Sequence, residues 1–293
     1  ADKGDINSMN IYANILFTGD GVEVDKKLAA KYYKAATDKG DIHAMNMYAY
    51  ILEHGEGIKT NKVEAKKFYK IAADKGNSDS ILNYATMLFN DKSNKDEMIV
   101  YFKMAINEGN TKAMHTYATM LYKGDGVEMN KVEAIQYYIQ AADKGDANSM
   151  NNYASILYKG DTGVPQDKEK AAYYYKMSAD KGNVDSMMKY SIMLINGDGI
   201  QNDNSLAEEY LRKAASSENV IAMIKLASII SDKKESARLY KMAADKGNVN
   251  AMNKYAYMLF NGDGIEVNKQ EAANYYKMAL DQGDTEAMNK YAY

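Results

Sequence analysis

The chain has 293 residues, 46% hydrophobic and 26% charged, with a formal net charge of −3. These proportions exclude a disordered chain, and the absence of cysteine excludes disulfides, thiolate metal sites and a cysteine nucleophile. No apolar run approaches the roughly 20 residues that span a bilayer, and no basic block marks a nucleic-acid binder. No Asn-x-Ser/Thr acceptor occurs, and the expected compartment is the cytoplasm, within a large assembly. Ala1 opens the chain inside a motif that recurs later, so it is expected to be a window of a longer protein.

That motif is Ala-Asp-Lys-Gly, at positions 1–4, 73–76, 142–145, 179–182 and 244–247. Its glycine returns 36 residues on, from Gly4 to Gly40 and again to Gly76, which is the signature of a repeat array. In chain order, the first unit (5–40) predicts a helix, a Gly19-Asp20-Gly21 loop, an N-cap at Asp25 and a second helix with Ala29, Tyr32, Tyr33 and Ala36 on one face. The second unit (41–76) repeats this with Ala44, Met45, Tyr48, Ala49 and Leu52, then Asn61 and Glu64 at capping-box spacing, then Ala65, Phe68, Tyr69 and Ala72. The third (77–109) lacks the glycine loop but keeps Asn94 three residues before Glu97. The fourth (110–145) is complete, with Ala113, Met114, Tyr117, Ala118 and Leu121, the loop Gly124-Asp125-Gly126, and Asn130 before Glu133. The fifth (146–182) carries an inserted Thr162 and a cap at Asp167. The sixth (183–218) has Gly197-Asp198-Gly199 and Asp203, and closes near Glu218 without a glycine. The seventh (219–247) again lacks the loop and keeps Asp232 before Glu235. The eighth (248–283) has Gly262-Asp263-Gly264 and Asn268 before Glu271, and residues 284–293 begin a partial ninth. The apolar residue after each loop (Val22, Val127, Ile200, Ile265) is expected to plug the loop onto the core. Tyrosine, with 26 copies against no tryptophan, is the aromatic packing residue, and each buried ring needs a partner for its hydroxyl.

In the fourth unit, Ala113, Tyr117, Leu121, Gly124, Gly126, Val127, Asn130, Ala134, Tyr137, Tyr138, Ala141, Ala142 and Gly145 together resemble the Sel-1-like repeat family, a branch of the tetratricopeptide-type repeats. The likeness recurs along the whole chain. It departs in using Tyr-Tyr or Phe-Tyr where the family often has tryptophan, and in lacking the paired cysteines of a branch linked to β-lactam binding. The resemblance implies an all-α, right-handed α/α superhelical solenoid forming a single repeat domain, with adaptor or scaffold roles in assembling protein complexes.

A face of the first helices varies between copies while the packing positions repeat. It comprises His43, Met47, Tyr50 and His54, with counterparts Asn83, Thr116, Asn152, Lys189, Lys225, Lys254 and Tyr257. In helix-pair solenoids the first helices line the concave side, so Met47, Tyr50, Asn83, Thr116, Asn152, Lys189, Lys225, Lys254 and Tyr257 are the expected partner-binding residues. The lysines at equivalent places suit an acidic protein segment. A fixed place in a large assembly, such as a cytoskeletal one, or a regulatory role beside a catalytic domain outside this window are the alternatives. His43, His54 and His115 do not share one place in the repeat, and no third or fourth ligand joins them. Gly19-Asp20-Gly21-Val22-Glu23-Val24-Asp25 has three acids but lacks the EF-hand spacing. The glycine loops follow no strand, and no hydrolase, Walker or kinase signature appears. The reading is therefore a non-enzymatic protein binder with no catalytic residue, cofactor or metal, with no nucleic-acid partner and no membrane insertion.

Overall fold

A computed structural model describes residues 5–161 and 163–284. The leading Ala-Asp-Lys-Gly copy, Thr162 and the expected partial ninth unit from residue 285 onward lie outside the described residues. By contact the chain falls into two compact halves, residues 1–144 and 145–293. The N-terminal half holds four helix pairs: α1(Ile6–Thr18) with α2(Lys26–Asp38), α3(Ile42–His54) with α4(Lys62–Asp74), α5(Ser78–Asn90) with α6(Lys95–Asn107), and α7(Thr111–Lys123) with α8(Lys131–Asp143). The C-terminal half holds α9(Ala147–Lys159) with α10(Lys168–Asp180), α11(Val184–Asn196) with α12(Asn204–Ser216), α13(Val220–Ile229) with α14(Lys233–Asp245), and α15(Val249–Asn261) with α16(Lys269–Asp281).

Capping explains where the helices start. Each second helix begins on the Asp or Asn read from the sequence, from Asp25 to Asn268, and its side chain accepts a hydrogen bond from a backbone N–H in the first turn. Each such cap contributes about 1 kcal/mol. The capping-box glutamates close the box side chain to side chain: the amide of Asn61 donates to Glu64 at 2.9 Å, and that of Asn130 to Glu133 at 3.0 Å. Each first helix is also capped, by Asp5, Asp41, Asn77, Asn110, Asp146, Asn183, Asn219 and Asn248. The residue after the closing glycine of each repeat is therefore a second cap, which the loop-centred reading passed over.

The packing stripes are where periodicity places them. Ala44, Met45, Tyr48, Ala49 and Leu52 are buried in α3, and Ala65, Tyr69 and Ala72 in α4. Alanines with no exposed surface let paired helices approach closely, while the tyrosines fill the space between successive pairs. Phe68 and Tyr32, the first members of the aromatic pairs, are only partly buried. Phe68 lies edge-on to Tyr48 of the same repeat, with ring centroids 5.5 Å apart. The loop plug is less uniform than expected. Val127 is buried, but Val22 is 45% exposed. Where a glycine is missing from a turn, Lys92 and Glu218 take up the left-handed backbone conformation themselves, with φ of 51° and 60°.

Hydroxyl partners follow the repeat. The Tyr69 hydroxyl donates to Glu53 at 3.1 Å, Tyr175 donates to Ser155 at 2.9 Å, and Tyr138 lies 3.0 Å from the Thr119 hydroxyl. Tyr33 occupies the corresponding place in α2, fully buried, but its hydroxyl has no partner, and burial pushes it up to about 12. Tyr33→Phe is therefore expected to leave stability unchanged or raise it by up to about 1 kcal/mol, whereas Tyr69→Phe lowers it by about 1–2 kcal/mol. Paired urea titrations of the two variants measure the difference.

Candidate functional site

Most polar residues of the motif are spent on joining one repeat to the next. The aspartate of Ala-Asp-Lys-Gly accepts a hydrogen bond from the first tyrosine of the following repeat's aromatic pair: Asp180 from Tyr210 at 2.5 Å, Asp245 from Tyr275 at 2.6 Å, and Asp74 from Tyr101. In three of the glycine loops the acid reaches back to the first lysine of the preceding repeat's second helix. Glu56 meets Lys26 at 2.5 Å, Asp198 meets Lys168 at 2.6 Å and Asp263 meets Lys233 at 3.6 Å. In the first loop, Asp25 has an intramolecular role as the N-cap of α2. Lysines also cap tyrosine rings: the Lys70 ammonium lies 5.1 Å from the rings of both Tyr84 and Tyr101, and Lys241 lies 5.3 Å from Tyr255 and Tyr275.

The variable stripe is what this network leaves over, though not uniformly. In the N-terminal half, Met47, Tyr50, Asn83 and Thr116 are half-buried. Tyr50 stacks on His54 with centroids 4.2 Å apart, and the Asn83 amide donates to Asn46 at 3.2 Å. In the C-terminal half, Asn152 is half-buried, while Lys225, Lys254 and Tyr257 are exposed. Lys189 differs from the other two lysines. Its ammonium donates to Asn151 and to Ser155, both at 3.0 Å, and lies 5.2 Å from the Tyr175 ring. Burial holds its amine below the usual lysine range. Equivalence in the repeat does not make Lys189 equivalent in environment.

One functional-looking feature was missed by sequence reasoning. Asn46 and Asn151, one residue before the stripe, are buried and receive side chains from the next repeat. Asn46 accepts from Ser80 at 2.9 Å and from Asn83; Asn151 accepts from Ser186 at 3.1 Å and from Lys189. The recurring asparagine at this place was the available signal, and it sets the spacing of neighbouring first helices beneath the stripe. The histidines stay apart. His43 is exposed, His54 bonds to the Tyr50 carbonyl at 3.0 Å, and His115 lies 5.9 Å from the Tyr138 ring. Among the described residues, no three His, Cys, Asp or Glu side chains converge on a point that could hold a metal. No described helix is long and apolar enough to cross a membrane.

Paired helices of fixed length, locked to their neighbours by repeating side-chain contacts, define an all-α helical-repeat protein of the solenoid class. The Sel1 repeat family model matches residues 6–41, 42–77, 111–146, 147–183, 184–219, 222–248 and 249–284, and the chain belongs to that family. The matches omit 78–110, yet α5 and α6 form a helix pair there. The fold is similar to that of a protective antigen of uropathogenic Escherichia coli strains displaying an SLR fold, with TM-score 0.81 and 22% identity over 99% of this chain and 64% of that one. It is also similar to a Sel1 repeat protein from Oxalobacter formigenes, with TM-score 0.69 and 21% identity over 98% of this chain and 86% of that one. The chain thus spans less than two thirds of the length of the first of these structures. No curated protein sequence matches it significantly. Sel1 repeats are in general protein-binding scaffolds built on a non-catalytic repeat fold.

Proposed function

We propose that this chain is a non-enzymatic scaffold that holds partner proteins along the stripe of its first helices. Lys225, Lys254 and Tyr257 form the part of the stripe that takes an acidic segment. The observation that carries the reading is that these three side chains are exposed and uncommitted, in a molecule whose other recurrent polar groups join repeat to repeat. Among the described residues neither Lys225 nor Lys254 has an ion-pair partner, and Tyr257 keeps 54% of its surface. Exposed cations without an internal partner recognise carboxylates readily, because neither side must break an internal salt bridge first.

The double charge reversal Lys225→Glu with Lys254→Glu is expected to weaken partner affinity by about tenfold or more without changing the melting temperature. Affinity capture from the native source, repeated through a series of salt washes, gives the comparison. Partners that leave the unaltered chain at moderate salt and are not captured by the double variant support the reading. Equal capture by both proteins at every salt concentration contradicts it.

A further inference from the structure

The third repeat joins its helices by residues 91–94 alone, whereas the first, second, fourth, sixth and eighth use longer connections built on the glycine loop. In the second, sixth and eighth repeats, that connection lies on the first turn of the preceding repeat's second helix. Its acid pairs with Lys26, Lys168 or Lys233. Its second glycine lies so close to the same turn that an added Cβ would fall 2.4–2.6 Å from that turn's atoms. The corresponding turn ahead of the third repeat is the start of α4, Lys62 and Val63, and the chain has no loop to cover it.

The exposed turn keeps the lysine of the covered ones, with Lys62 in the place of Lys26, Lys168 and Lys233, and it carries Val63 where they have Lys27, Glu169 and Lys234. Val63 is 84% exposed, the most exposed large apolar side chain among the described residues, and Lys62 makes no ion pair. Between them and the short turn lies a cleft of about 500 Å³, lined also by Glu53, Lys66, Met87, Asn90 and Asp91, with Glu53 accepting from the Tyr69 hydroxyl. Asp91 does not neutralise Lys62, because it pairs with Lys66 at 2.6 Å. The seventh repeat supplies the comparison. It too lacks the glycine loop, and the helix that its loop would have covered, α12, begins with Asn204 and Ser205. There the cation has gone along with the loop, whereas at α4 Lys62 remains.

We propose that the cleft over Lys62 and Val63 binds a loop of a partner protein with the chemistry of this chain's own Gly-acid-Gly-aliphatic connections. The partner's carboxylate pairs with Lys62, as Glu56 does with Lys26. Small residues beside it let its backbone approach the start of α4, and its aliphatic side chain covers Val63 and Met87. The apolar part supplies affinity through burial, and the acid fixes register. This site is independent of the first-helix stripe, and either can fail without the other.

The probe is a backbone-cyclised peptide carrying Gly-Asp-Gly-Ile-Glu-Val, the sequence of residues 262–267, titrated into the intact chain by calorimetry. Saturable one-to-one binding is expected. Lys62→Glu, Val63→Asp and asparagine in place of the peptide's aspartate each weaken it by about tenfold. Replacing residues 91–93 by the same six-residue loop abolishes it, because the chain then fills its own cleft. Lys225→Glu, on the stripe, leaves it unchanged. Both Lys62 and Val63 are exposed, so their variants fold, and an unchanged melting temperature verifies this. Absence of saturable binding, or Lys62→Glu binding as tightly as the unaltered chain, overturns the proposal.

Discussion

Gly264→Ala is expected to destabilise the C-terminal half by about 2–5 kcal/mol, while Gly247→Ala costs about 1–2 kcal/mol. Both glycines have positive φ, +79° and +89°, so both substitutions carry the strain of a left-handed L-residue. Only Gly264 adds a collision. A Cβ there would lie 2.4 Å from the Lys233 carbonyl carbon and 2.5 Å from its Cβ, whereas around Gly247 nothing lies within 4 Å. The Lys233 backbone belongs to a capped helix start and cannot yield as a side-chain tip would. The loop must lift, which takes Asp263 away from Lys233 and exposes the face it covers. Guanidinium titration of the two variants measures the difference. Equal costs would mean that the loop does not rest on the preceding repeat, and would remove the template on which the Lys62–Val63 cleft is argued.

Phe102→Ala is expected to cost about 3–5 kcal/mol, the range for deleting a fully buried aromatic side chain. Phe102 has no exposed surface, and its ring stacks on Tyr117 of the next repeat at 5.9 Å with planes 24° apart. In a repeat array each unit is stabilised chiefly by its immediate neighbours, so a cavity at this junction weakens the third and fourth repeats together. Amide exchange should accelerate in α6 and α7 well before it does in α1 and α2. A uniform change along the N-terminal half would indicate that the array unfolds as one unit. A cost below about 1 kcal/mol would mean that the short third repeat is not packed as a full member of the array.

The repeat period and its punctuation were readable in the sequence because they are local. Asn61 and Glu64 declare a helix start by spacing alone, and Ala65, Tyr69 and Ala72 declare a buried face. Contacts across repeats were harder to read. Nothing near Asp245 in sequence shows that it accepts from Tyr275, thirty residues on, and the same is true of Asp263 and Lys233. Lys189 illustrates the limit for the candidate site. It aligns with Lys225 and Lys254, but the residues that tie it down, Asn151 and Ser155, belong to the preceding repeat. Copy comparison identifies which positions vary; it does not say which of them are already engaged. Lys62 is the opposite case, a helix-start lysine left without the loop acid that Lys26, Lys168 and Lys233 meet, because the deletion lies in the next repeat.

Partners held on the first helices shield those helices from solvent, and hydrogen–deuterium exchange on the chain bound to a captured partner, compared with the chain alone, reads this out. Slowed exchange is expected along α13 and α15, around Lys225, Lys254 and Tyr257, with α14 and α16 unchanged. Protection confined to α14 and α16, with α13 and α15 exchanging as in the free chain, would contradict it.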